Sequence, residues 1–139
     1  MVVVIISLMV GVSYPSVTAG IDAVRLATAA DGVASFLNQA VNRAERRQVA
    51  VEIAILRAEN AIILVGAQIP WERRLDLPQG VVIQSILPEL PQEDLGIRRF
   101  LVLPGGTVPR IGIILANSRG SRRAVHIDPI TGVPRIERL

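Results

Sequence analysis

An α+β fold, in which one long N-terminal helix packs on an antiparallel β-sheet or sandwich, is predicted by three features of the sequence. Apolar residues recur at steps of three and four through the first third of the chain. From Val49 onward the period changes to two, the spacing of a strand with one buried face. The remainder is cut into short apolar runs by turns bearing glycine, proline and asparagine. No internal repeat and no flexible linker divides the chain, so helix and sheet are expected to form one unit.

The helix is read over residues 1–47, in two halves. Residues 1–12 carry no charge, and only Ser7 and Gly11 interrupt Val2, Val3, Val4, Ile5, Ile6, Leu8, Met9, Val10 and Val12. Such a run spans about 18 Å of helix, short of the roughly 20 residues that cross a bilayer unaided. It could be mistaken for the core of a signal peptide, but no basic residue precedes it and no clear small-residue cleavage site follows. Pro15 comes next, and its ring and missing N–H are expected to kink or end the helix locally. Proline is tolerated in apolar helices whose neighbours cover the freed carbonyl. Beyond it Val33, Phe36, Leu37, Ala40, Val41 and Ala44 share one face, while Asp31, Ser35, Asn38, Asn42 and Glu45 take the others. The stripe Val33, Phe36, Leu37, Ala40 and Val41 is assigned to packing against the sheet. Residues 1–22 thus form an apolar part, and residues 23–139 a soluble domain of amphipathic helix (23–47) and β-rich chain (48–139).

In the β-rich part, Val49, Val51, Ile53 and Ile55 alternate with Ala50, Glu52 and Ala54, which predicts a strand. A turn at Arg57, Ala58, Glu59 and Asn60 joins it to a second strand over 61–65, making a hairpin. Residues 68–72 are a connection, and 73–77 a short edge strand closed by Pro78. A strand over 81–87 leads to the acidic, proline-bounded loop 88–94, expected to be the most mobile segment. Three more strands follow over 98–103, 110–116 and 122–127, separated by Pro104-Gly105-Gly106 and Asn117-Ser118-Arg119-Gly120. A last turn, Asp128-Pro129-Ile130-Thr131-Gly132, needs a residue that takes positive φ, which Gly132 supplies, and a short strand over 133–136 closes the chain.

Half of the residues are hydrophobic and 19% are charged, a balance that argues against disorder. Aromatic residues are scarce, so the core is built from Val, Ile, Leu and Ala. With no cysteine, disulfides and thiolate chemistry are excluded. Residues 52–94 hold seven acids against three arginines, whereas residues 98–139 hold eight arginines against Asp128 and Glu137. This asymmetry suits either an anionic partner or subunit docking face, or a solvated sheet. Little in the sequence points to catalysis. His126 is the lone histidine and has no neighbouring nucleophile. Neither lysine nor a helix start follows Pro104-Gly105-Gly106-Thr107, as a phosphate loop requires. Glu93 and Asp94 lack a partner histidine, so no metal, cofactor or enzymatic activity is expected.

An uninterrupted apolar stretch, a proline near its end, an amphipathic continuation and a β-rich remainder together resemble the type IV pilin-like proteins. Residues 100–136, FLVLPGGTVPRIGIILANSRGSRRAVHIDPITGVPRI with its DP-x-TG turn, are similar to the closing strands of the GspH/FimT-type minor pseudopilins. The resemblance spans nearly the whole chain. It implies a structural subunit of the type II secretion pseudopilus that takes part in protein secretion. Val2, Val3, Val4, Ile5, Ile6, Leu8, Met9, Val10, Val12 and Pro15 would belong to the membrane and filament-core helix. That helix would be held in the bacterial inner membrane as a single pass, then buried against other pseudopilin subunits on assembly. The β-rich domain would lie in the periplasm, facing neighbouring subunits or secreted substrate protein. Aligning Pro15 with the family's proline puts Met1 inside the apolar segment. The leader, the FTLIE-like motif with its glutamate, and the methylated N-terminal residue are therefore expected to be missing, as in an N-terminally truncated chain.

A second reading stays open within the related pilus branch, a minor type IV pilin that binds DNA for uptake. Its contacts would be Arg119, Arg122, Arg123, Arg135 and Arg138, since arginine pairs with phosphate bidentately. The shortage of aromatics to stack on bases weighs against single-strand binding. The run Gly132-Val133-Pro134-Arg135 also departs from the arginine-rich tail of DNA-binding members.

Overall fold

The computed structural model describes residues 2–66, 71–88, 97–105 and 108–139, with helix side chains described from Gly20 onward. The elements are α1 (Val2–Arg47), β1 (Val51–Leu56), β2 (Ala61–Gly66), β3 (Glu72–Asp76), β4 (Val81–Leu87), β5 (Ile97–Val102), β6 (Gly112–Asn117), β7 (Arg122–Ile127) and β8 (Pro134–Arg138). The strands form two four-stranded sheets, β3-β2-β1-β5 and β4-β6-β7-β8, antiparallel throughout. The helix packs on both, so the fold is α+β.

Sequence reasoning has Pro15 kink or end the helix, but α1 does not end there: it runs from Val2 to Arg47. A proline removes one backbone hydrogen bond and crowds one carbonyl, a local cost that leaves the turns on either side helical. Strand boundaries move as well: β6 begins at Gly112 and not Arg110, and β8 runs on to Arg138. The acidic loop expected after Pro88, the connection before Trp71 and the Gly106-Thr107 pair lie outside the described residues.

Alternation sets which side of each strand is buried. Val51, Ile53 and Ile55 of β1 face the core while Glu52, Ala54 and Leu56 are half-buried on the other side. In the second sheet Val81, Ile83 and Ile86 of β4 face inward with Ile113 and Leu115 of β6 and Val125 and Ile127 of β7. A register shift between Ile83 and Ser85 keeps Ile86 on the inner face, since one extra residue in the strand reverses the side-chain alternation beyond it. The helix lays Leu26, Ala29, Ala30, Val33, Phe36, Leu37, Ala40 and Ala44 into the same core, and Val41 packs against its margin half-buried. Two contacts pin the helix at its sides. Arg119 Nε donates to Asp22 Oδ2 at 2.7 Å, and the Arg43 guanidinium stacks 3.8 Å from the Trp71 ring centroid.

The turn between β7 and β8 docks against the helix. Gly132 stands at φ +72°, and a Cβ placed there would sit 3.6 Å from Val41 Cγ1 and 3.5 Å from Val108 Cγ2. Those distances are ordinary contacts, so the requirement for glycine comes from the backbone conformation. Gly132→Ala is expected to cost about 1–2 kcal/mol, read as a lower denaturant midpoint with unchanged slope.

Candidate functional site

The arginines of the last sheet are positioned by one turn. Asn117, 9% exposed, is the buried polar side chain of the described core. Its Oδ1 accepts the backbone N–H groups of Arg119 at 3.0 Å and Ser121 at 3.1 Å. Its own N–H donates to Ser121 O, and its carbonyl accepts from Gly120, which takes φ +83°. This closed turn points Arg119 at the helix and delivers Arg122 and Arg123 into β7.

Register then sorts the remaining arginines. Arg123 lies opposite Arg138, Val125 opposite Ile136 and His126 opposite Arg135. Residues opposite one another share a face. Because Val125 and Ile127 are buried in the core, Arg123 and Arg138 stand on the helix side of the sheet at its rim, whereas Arg122, Arg135 and Glu137 stand on the outer side. Like charges directly opposite each other are destabilising. An anion beside Arg123 and Arg138 would relieve that repulsion, and among the described residues neither of the two nor Arg122 has an acidic partner.

Arg119 and Arg135 are differently placed. Arg119 is committed to Asp22. Arg135 Nη2 lies 3.8 Å from Asp128 Oδ2 at the far end of the strand pair. The structure thus gathers Arg119, Arg122, Arg123 and Arg138 at one end of the second sheet and leaves Arg135 at the other. The side chains of Val2, Val3, Val4, Ile5, Ile6, Leu8, Met9, Val10, Val12 and Pro15 lie outside the described residues. Of the helix stripe, Val33, Phe36, Leu37 and Ala40 are buried and Val41 half-buried. Sequence reasoning missed Leu26, Ala29 and Ala30, which continue the same three-and-four spacing back from Val33, and the ion-pairing role of Asp22, for which a single sequence carries no signal.

Asp128 organises the β7–β8 turn. The Ile130 N–H donates to its Oδ1 at 2.9 Å, and Gly132 N–H donates to its carbonyl at 2.7 Å. The Ile130 hydrogen bond, reinforced by Thr131 and the Arg135 charge and opposed by partial desolvation, holds the carboxyl below its ordinary value of 3.8. A carboxyl whose folded pKa is depressed adds stability above the unfolded value, and this is lost as pH falls through the folded one. Between the ordinary aspartate value of 3.8 and lower pH the protein is therefore expected to weaken, and Asp128→Asn to flatten that part of the melting-temperature profile. An unchanged acid limb in the variant would mean that another carboxylate governs it.

His126 Nε2 sits 3.9 Å from Glu137 Oε1 on the outer face. Among the described residues no group of His, Asp and Glu side chains is arranged to hold a metal ion. An apolar cleft of about 290 Å³ opens beside Leu87, Pro88, Gly112, His126 and Pro129. A more polar one of about 270 Å³ lies between Asn38, Asn42 and Glu45 of the helix and the turn at Thr131. Among the described residues, no helix is long and apolar enough to cross a membrane. No protein-family model matches the chain, and no curated protein or solved structure matches it either.

Proposed function

We propose that this chain is a minor pseudopilin, a structural subunit of a type II secretion pseudopilus that takes part in protein secretion. The observation that carries the reading is the disproportion between helix and sheets. A 46-residue helix is about 69 Å long at 1.5 Å per residue, whereas the longest strand, of seven residues, is about 23 Å. The amphipathic second half covers the sheets, and the uncharged residues 2–12 extend the same helix well beyond what covering them requires. An apolar helix of this kind can exchange lipid for the helices of neighbouring subunits, because both surround it with hydrocarbon.

On this reading the apolar half is held in the bacterial inner membrane before assembly, the β-rich domain lies in the periplasm, and the partners are other pseudopilin subunits and secreted substrate protein. The pilin-like fold type belongs to the same proposal, which assigns the chain no enzymatic activity and no cofactor. In a host that carries the gene, its deletion should abolish release of type II-secreted proteins, with secretion restored by the wild-type gene. Undiminished secretion in the deletion strain would overturn the proposal.

A second reading, a minor type IV pilin that binds DNA for uptake, is favoured by the Arg123–Arg138 opposition, with Arg122 on the outer side of the same strand end. Full-length protein titrated with duplex DNA should then show affinity that falls steeply with salt and is lost in Arg122→Ala/Arg123→Ala. Absence of binding at low salt would dismiss it.

A further inference from the structure

We infer that the end of the domain where the apolar half of α1 begins is a docking surface for anionic lipid headgroups. The inference rests on the reading that this half of the helix enters a bilayer. The Asp22–Arg119 ion pair, 2.7 Å long, fixes the β6–β7 turn beside the helix at Asp22. Antiparallel register carries Arg138 to the same end by placing it opposite Arg123, and the Leu139 N–H closes the ladder on Arg122 O at 3.2 Å. Arg122, Arg123 and Arg138 therefore stand at the end of the sheet where uncharged chain gives way to the folded domain, Arg123 and Arg138 on the helix side and Arg122 on the outer side, and Arg25 lies one turn into the helix from Asp22.

Two features suit an anionic membrane here, and the first of them favours it over a nucleic acid. The first is the apolar surface beside the charges: Ile21 is 46% and Val24 64% exposed on the helix at this end. Side chains of this kind gain by sinking among acyl chains and gain nothing against a phosphodiester backbone. The second is balance of charge. Asp22 is already committed to Arg119, and no acid among the described residues pairs with Arg122, Arg123 or Arg138. Basic side chains beside an apolar helix are drawn to anionic lipid, by about fivefold in affinity for each arginine near the surface. The opposed Arg123 and Arg138, which repel each other in the free protein, would share headgroup phosphates.

The test uses the full chain, vesicles of phosphatidylcholine alone, and vesicles in which a third of the lipid is phosphatidylglycerol. Binding should be tighter to the anionic vesicles, and that preference should fall by roughly a hundredfold in Arg122→Gln/Arg123→Gln/Arg138→Gln. It should persist in Arg46→Gln/Arg47→Gln, which removes charge from the opposite end of the helix, and melting curves would confirm that both variants are folded. Equal partition into both kinds of vesicle would overturn this inference and leave the membrane reading of the helix intact. Failure to bind either kind would overturn both. Preferential capture by duplex DNA added to the anionic vesicles, lost in the triple variant, would assign the arginines to nucleic acid.

Discussion

Leu37→Ala is expected to lower the unfolding free energy by about 3–5 kcal/mol. Leu37 is 0% exposed and lies in a single buried cluster that includes Ile53, Ile55 and Leu64 from the first sheet and Ile113, Leu115 and Val125 from the second. Deleting its branched end removes buried hydrocarbon and leaves a void. The walls of that void are strands held by ladders of backbone hydrogen bonds, so they cannot close over it cheaply. Chemical denaturation checks the value, with Gln39→Ala on the exposed side of the helix as a control that should change stability by less than about 0.5 kcal/mol. A midpoint unchanged by Leu37→Ala would mean that the helix does not hold the sheets together.

Asn117→Ala should cost about 2–4 kcal/mol, since it strips the acceptor from two backbone N–H groups in a nearly closed turn. Asn117→Asp keeps an acceptor for both and should recover most of the loss. Hydrogen exchange at the Arg119 and Ser121 amides would locate the effect: both should exchange faster in the alanine variant, while amides of β1 and β2 keep their relative protection. Because the same turn aims Arg119 at Asp22, the alanine variant should also loosen the contact between helix and second sheet.

Much of the fold can be read directly from local pattern. The 81–87 and 122–127 runs coincide with β4 and β7, because each is bounded by turn residues and carries a spacing of two on its inner face, in β4 only as far as the bulge after Ile83. The buried side of the helix follows from Val33, Phe36, Leu37 and Ala40 in the same way. Pattern was silent where the answer lay in long-range pairing. Nothing local says that β5 joins β1 while β4 joins β6, because both strands alternate and either could complete either sheet. The arginines illustrate the same limit. Their number is visible in sequence, but the separation of Arg135 from Arg122, Arg123 and Arg138 is set by register across β7 and β8, and the commitment of Arg119 by a residue 97 positions earlier.

The two sheets are threaded through each other along the chain. The first takes β1, β2, β3 and β5, and the second takes β4, β6, β7 and β8. During synthesis, the N-terminal hairpin can pair as it emerges, but one flank of β1 stays open until β5 has followed. The intervening β4, with its inward row of Val81, Ile83 and Ile86, has no partner until β6 arrives. Open strand flanks of this kind are where nascent chains stick to one another. A nascent chain that stops anywhere before β6 therefore presents at least one such flank. Late completion of both sheets thus lengthens the time for which the emerging chain exposes such flanks.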